Sequence, residues 1–193
     1  MIHSISSRIA RIFVLYGESS EEDVDIYIYA TEAIVATLFS VVIAIVISLI
    51  FGRVVEGLVF ISSFALLRRY TGGYHAESHF KCILHFNCIM ASTMVILHFV
   101  SMANGNFIAL AIATLSLVGI CVVPSATDKN VQFTVDRQLA HNKKSVVLSI
   151  LMWLVCVLSF YATNLQVGFA LALSMLFVFC GVVCSILQDT TRK

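Results

Sequence analysis

Charge is what this chain has least of. Only 12% of its 193 residues are Asp, Glu, Lys or Arg, too few to wet the surface of a soluble globule. The formal net charge is +1 and the basic residues are scattered over short stretches, so no patch for nucleic acid is present. Proline occurs once, at Pro124, where an apolar segment ends, as a helix terminator would. No hydrophilic stretch is long enough for a second domain, which leaves 1–193 as a single integral-membrane domain. A secretory leader is not indicated: no short basic region runs directly into an apolar core and a small-residue cleavage site.

What the chain has is apolar length. Hydrophobic residues make up 60% of it and the mean hydropathy is +0.97, which is the composition of a polytopic membrane protein. Six apolar segments can be drawn, at about 26–51, 54–67, 82–103, 107–123, 146–163 and 167–187. A helix needs ~20 apolar residues to cross the hydrocarbon core. The expected fold is therefore an all-α membrane bundle with about six transmembrane segments. The fourth segment is marginal. The second is too short to cross unless Arg68 and Arg69 snorkel, or the backbone continues into the polar stretch that follows.

Ile2, Ile5, Ile9, Ile12, Phe13 and Tyr16 recur at helical spacing, with Ser4, Ser7, Arg8 and Arg11 between them. Residues 1–23 are thus expected to form an amphipathic helix, lying in the membrane interface or packed on the rest of the protein. Residues 124–145 read as a polar loop. With six spans, every Lys and Arg except Arg53 falls on one side of the membrane. The positive-inside rule then places both termini, the 124–145 loop and a polar insert at 68–82 in the cytoplasm.

The chain has six cysteines, yet they do not form a disulfide framework. Cys88, Cys121, Cys156, Cys180 and Cys184 lie in apolar runs, where a free thiol behaves as a small hydrophobe. Cys82 alone borders a polar segment, Arg68-Arg69-Tyr70-Thr71-Gly72-Gly73-Tyr74-His75-Ala76-Glu77-Ser78-His79-Phe80-Lys81-Cys82. Each ionisable residue there is costly in lipid, so the insert is a candidate site. His75 and Cys82 are the minimum equipment for a thiol nucleophile and its base.

In a straight helix those two residues would share a face but sit ~10 Å apart along the axis. The chain must leave helical geometry between them, and Gly72 and Gly73 can adopt the positive φ that this requires. Cys82 would then occupy the first turn of a helix, where the dipole favours a thiolate. The Gly72 and Gly73 amides, or Arg68, are candidates for stabilising an oxyanion. Two other readings stay open. Cys82 and His75 can be ordinary helix-start and loop residues, or His75, His79 and Cys82 can share one face and bind zinc. Glu77 does not stand directly after the first histidine, as the glutamate of an HExxH helix does. His85 and His98 read as packing residues, Glu32 as an interfacial carboxylate without a special role, and Glu18, Glu21, Glu22, Asp23 and Asp25 as a solvated turn.

Arg68, Gly72-Gly73, His75-Ala76 and Cys82 together resemble the core motif of the AgrB family, the accessory gene regulator membrane peptidases of Gram-positive quorum sensing. The resemblance extends to the chain length, the basic amphipathic start, the Pro124-to-Lys129 element and the Lys143-Lys144 pair before the fifth segment. It implies a membrane-embedded cysteine endopeptidase with Cys82 as nucleophile and His75 as general base. Such an enzyme removes the acidic C-terminal tail of an AgrD-like pro-peptide and cyclises the remainder through an acyl-thioester into a thiolactone, or a lactone where a serine attacks. No cofactor and no metal are implied. Arg69 and Lys129 are expected to meet the substrate tail, and the bilayer and a second copy of the chain are the other expected partners. Small residues on the last segment, among them Gly168 and Gly181, would admit a close helix contact in such a homodimer. The competing classes are a peptide exporter gated by the polar insert, a zinc-dependent membrane protease and a structural membrane subunit.

Overall fold

The computed structural model describes residues 24–72, 78–99, 102–123, 135–161 and 165–191. Among them it contains six α-helices and no strand: α1 (Val24–Ile50), α2 (Val54–Thr71), α3 (His79–Phe99), α4 (Met102–Val122), α5 (Val135–Tyr161) and α6 (Leu165–Thr191). Helices are what lipid demands, because each backbone amide must find its partner within its own segment. Stretches of α1, α3, α5 and α6 are long and apolar enough to span a membrane. The 18 residues of α2 rise ~27 Å, close to the ~30 Å of a hydrocarbon core.

Helix α6 forms the centre. From Gly168 to Met175 every residue is buried, as expected of a helix surrounded by others. The local sequence explains how: Gly168, Ala170, Ala172 and Ser174 alternate with Phe169, Leu171, Leu173 and Met175. On a helix this gives narrow stripes of small residues where neighbouring backbones approach, flanked by large side chains that fill the gaps. Ser174 faces Ser63 of α2 across a 2.8 Å hydrogen bond. The Cys156 thiol of α5 donates to the Gly168 carbonyl at 3.4 Å. Helices α2, α4 and α5 pack closely on α6, while α1 packs on α3 and α2 at the periphery. Large apolar side chains such as Leu38, Phe39, Leu66, Leu84, Leu115 and Leu158 remain exposed, forming the surface expected to face acyl chains.

Helix α1 turns into α2 over Phe51, Gly52 and Arg53. The Gly52 amide donates to the Leu49 carbonyl at 3.0 Å and the Arg53 amide to the Ser48 carbonyl at 2.9 Å. Gly52 has φ +65°. This pair of bonds around a left-handed glycine is a Schellman motif, which satisfies the last carbonyls of α1. Arg53 then donates to the Gln166 side chain at the start of α6 and lies 3.9 Å from Glu56, fastening the hairpin to the central helix.

The expected boundaries change in several places: α3 ends at Phe99 and α4 already starts at Met102, so residues 104–106, expected between the third and fourth segments, are helical. Helix α2 runs past Leu67 through Arg68, Arg69 and Tyr70 to Thr71, so the backbone does continue into the polar stretch. Helix α3 starts at His79, three residues before the apolar segment. Helix α5 starts at Val135, inside the stretch read as a loop, because the run around Gln138-Leu139-Ala140 is polar but rich in helix formers. Gly168, expected to face a second copy, is instead enclosed by its own chain: a Cβ there would lie 3.0 Å from the Ser159 Cβ. Residues 1–23, expected to be an amphipathic helix, lie outside the described residues.

Gly57 sets the approach of three helices. A Cβ at this position would lie 2.7 Å from the Ser48 Cβ of α1 and 3.2 Å from the Met90 Cε of α3. Gly57→Ala is expected to destabilise the bundle by about 1–3 kcal/mol through overpacking. Gly181→Ala, whose added methyl would meet nothing within 4 Å, should leave stability unchanged or slightly higher. Thermal unfolding of both variants in detergent checks the pair.

Candidate active site

The polar insert lies where α2 ends and α3 begins. Gly72 closes α2 with φ +70° and ψ −147°, its amide donating to the Arg68 carbonyl at 3.0 Å. That conformation is essentially reserved for glycine, so the flexibility expected of Gly72 is used as a helix stop. Beyond the insert, Ser78 caps α3. Its hydroxyl accepts from the Lys81 amide at 3.3 Å, and its carbonyl accepts from the Cys82 amide at 3.2 Å. This is the N-cap arrangement that serine favours. Cys82 is therefore in the first turn of α3, as expected, with an exposed side chain.

Arg68 stands in the last turn of α2, across the insert from Cys82. Its guanidinium sits 5.7 Å above the Phe64 ring and interacts electrostatically with Cys82 and, on the next turn of α3, with His85. Arg68 is half-buried and Arg69, beside it, is exposed. Arg68 and Cys82 are thus within electrostatic range of each other. Gly73, His75 and Lys129 lie outside the described residues.

His79, one turn before Cys82, is turned toward α1. Its Nε2 is 3.6 Å from Glu32 Oε2, and its ring is 5.5 Å from that of Tyr29. Sequence reasoning missed Glu32. The available signal was a carboxylate inside an apolar span, which is costly without a partner. His98, expected as a packing residue, is exposed, with its ring 6.4 Å from that of Phe51 and 5.3 Å from that of its neighbour Phe99. Among the described residues no three His, Cys, Asp or Glu side chains converge as a metal site requires.

The same end of the bundle carries further polar groups. Tyr70 packs on His141 at 5.9 Å and under the Lys144 ammonium at 6.0 Å, which ties α2 to α5. Next to Thr71, a cleft of about 200 Å³ opens between α2, α4, α5 and α6, lined in part by Cys121, Asn142, Ser145 and Phe179.

Residues 6–186 match the family described as Accessory gene regulator B. The chain belongs to the AgrB family. It is similar to a protein of Clostridium perfringens (strain 13 / Type A) named "Putative AgrB-like protein 2", with 34% identity over 84 residues, 44% of this chain and 39% of that protein. An AgrB-like protein of C. perfringens (strain SM101 / Type A) shares 33% identity over 84 residues, with the same coverage of 44% and 39%. The chain thus spans about two fifths of the length of the curated relatives it matches. No solved structure matches it. Membership in AgrB agrees with the helical membrane bundle.

The cap at Ser78 fixes where the Cys82 helix starts. Ser78→Ala should weaken that turn by ~1 kcal/mol, read as roughly fivefold faster hydrogen exchange at the Lys81 amide. Ser78→Thr should retain the protection.

Proposed function

We propose that this AgrB chain is a membrane-embedded cysteine endopeptidase that removes the C-terminal tail of an AgrD-like pro-peptide and cyclises the remainder. The observation that carries this reading is an exposed cysteine in the capped first turn of α3, within electrostatic reach of an arginine on α2. An ordinary lipid-facing cysteine needs neither. Family membership adds the connection to accessory gene regulator peptides.

The chemistry divides into two acyl transfers. In the first, His75 takes the Cys82 proton as Sγ attacks the carbonyl before the tail, and it gives that proton to the departing amine. Arg68, in electrostatic range of Cys82, is the candidate for stabilising negative charge on the carbonyl oxygen. The acyl group is then held as a thioester on Cys82. In the second transfer a thiol of the pro-peptide attacks that thioester and loses its proton to His75. Cys82 leaves as the thiolate and recovers the proton. One thioester replaces another, so the ring closes without an external energy source. A serine hydroxyl in place of the thiol gives a lactone. Water must be kept from the acyl-enzyme for cyclisation to win over hydrolysis, and the membrane interface serves that purpose.

The basic residues favour a cytoplasmic site with multi-pass anchoring in the cell membrane. Arg69 and Lys129 are proposed to meet the acidic tail. The largely aliphatic cleft beside Thr71, with Asn142 and Ser145 in its wall, offers room for substrate side chains next to the insert. A homodimer is compatible with the open surface at Gly181, while Gly168 is already occupied within the chain.

The test is mass spectrometry of pro-peptide added to oriented membrane vesicles. Inside-out vesicles should release the tail and form the cyclic product, and right-side-out vesicles should not. Cys82→Ser should abolish both products, and His75→Ala should slow tail release by roughly 10²–10⁴-fold. Chelator should have no effect. Tail release that survives Cys82→Ser, or that stops with chelator, overturns the thiol mechanism in favour of metal chemistry.

The tail contacts have a separate signature. Arg69→Glu combined with Lys129→Glu is expected to raise KM for the full-length pro-peptide several-fold with little change in kcat. The effect should shrink as salt is raised, because exposed charges are screened. An unchanged KM would remove both residues from substrate binding.

A further inference from the structure

We propose that Glu32 and His79 are a positioning pair, which sets the first turn of α3 against α1 so that the Cys82 sulfur meets the scissile carbonyl. This rests on the thiol mechanism proposed above. Glu32 Oε2 and His79 Nε2 are 3.6 Å apart, with side chains 18% and 31% exposed. At that separation the carboxylate and the imidazole are in electrostatic contact, beyond the length of a hydrogen bond. The Tyr29 ring lies 5.5 Å from the His79 ring at an angle of 46°, so one turn of α1 grips the imidazole with a carboxylate and an aromatic face.

The placement on α3 is what connects this grip to chemistry. His79 and Cys82 are i and i+3, so their Cβ atoms are neighbours on one helix face at ~5–6 Å. A rotation of α3 that frees His79 from Glu32 also carries the sulfur away from Arg68. Lower in the membrane α1 and α3 are already joined, through Asn87 Nδ2 donating to Ser40 Oγ at 3.0 Å and through apolar packing. Glu32 is therefore not needed to hold the two helices together. A carboxylate in a span is costly, and this one meets α3 on the turn that carries the nucleophile.

Steady-state kinetics of tail release in proteoliposomes tests the pair. Glu32→Gln removes the charge, Glu32→Asp keeps it, and His79→Phe keeps the ring against Tyr29 but cannot pair. Glu32→Gln and His79→Phe are each expected to lower kcat roughly ten- to a hundredfold, with KM and thermal midpoint near wild type. Glu32→Asp should recover part of the loss. The double variant should be no worse than the more impaired single variant, since both remove one interaction. Ser92→Ala, exposed on α3 and bonded to the Cys88 carbonyl of its own turn, should leave kcat unchanged.

Wild-type kcat in either charge-removing variant overturns the proposal. So does a loss confined to KM, a loss that follows the thermal midpoint, or additive losses in the double variant. Should Glu32→Gln fail to fold, His79→Phe decides by the same criteria; failure of both to fold makes the pair structural and also overturns it. Cys82→Ser measured alongside separates the two levels. Activity in Cys82→Ser sinks the thiol mechanism itself, whereas Cys82-dependent activity with normal Glu32 and His79 variants sinks the positioning role alone.

Discussion

A bilayer offers a backbone amide no partner, and that constraint shapes the rest of this molecule. The described chain commits its length to six helices and leaves its polar chemistry at their ends. At one end lie Glu32, Arg68, Gly72, Ser78, His79, Cys82, His141 and Lys144. At the other lie Arg53, Glu56 and Gln166. Between them the helix interfaces carry small hydroxyl and thiol groups, most of which bond a carbonyl one turn back, as Ser48, Thr93 and Ser149 do. A thiol with charged neighbours has few places to sit in such a molecule, and the α2–α3 junction is one of them.

The bundle was legible because its signals are local. Apolar runs of membrane length, bounded by short polar stretches, are enough to predict helices and their order. Helix ends were less legible, since hydropathy does not see where a helix stops. Arg68 and Arg69 are polar yet helical because α2 ends at Gly72, where a positive φ breaks the hydrogen-bond ladder. The start of α5 was hidden for the converse reason, polar residues of good helix propensity being taken for a loop. At the site, the first-turn position of Cys82 was readable from the polar boundary before it. Arg68 was already a candidate partner for the same chemistry, because it is an arginine at the edge of an apolar segment close to the glycine pair. The pairing of Glu32 with His79 was not readable, because it depends on how far α1 and α3 slide past each other, and apolar periodicity leaves that offset unspecified.

Helix offset is a general difficulty for membrane bundles. Lipid tails are as apolar as leucine, so burial alone does not strongly favour one register over a neighbouring one. Polar contacts and close small-residue approaches have to set it. Gly57 against Ser48 fixes the depth of the α1–α2 contact, Ser63 against Ser174 fixes α2 on α6, and Asn87 against Ser40 fixes α3 on α1. Asn87 Oδ1 is buried without a hydrogen-bond partner, a cost of about 1–3 kcal/mol for an amide oxygen. That cost is tolerable if the Asn87–Ser40 bond specifies a register which apolar residues would leave loose.

Register at the far end then bears on chemistry at the near end. Helix α1 is a long lever: its C-terminus is stopped by the Gly52 turn and held to α6 through Arg53 and Gln166. Its first turns carry Tyr29 and Glu32 up to His79. Helix α2 leaves the same turn and returns Arg68 to Cys82. The two groups that flank the helix carrying Cys82 thus hang from one three-residue connection at the opposite end of the bundle. A shift of that hairpin along α6 would move Glu32 and Arg68 together relative to Cys82, whereas a change in the α1–α2 crossing would separate them. The thiol is placed by a frame anchored on both sides of the membrane, and this is why a polar clamp as distant as Arg53 and Gln166 belongs to the physical description of the site.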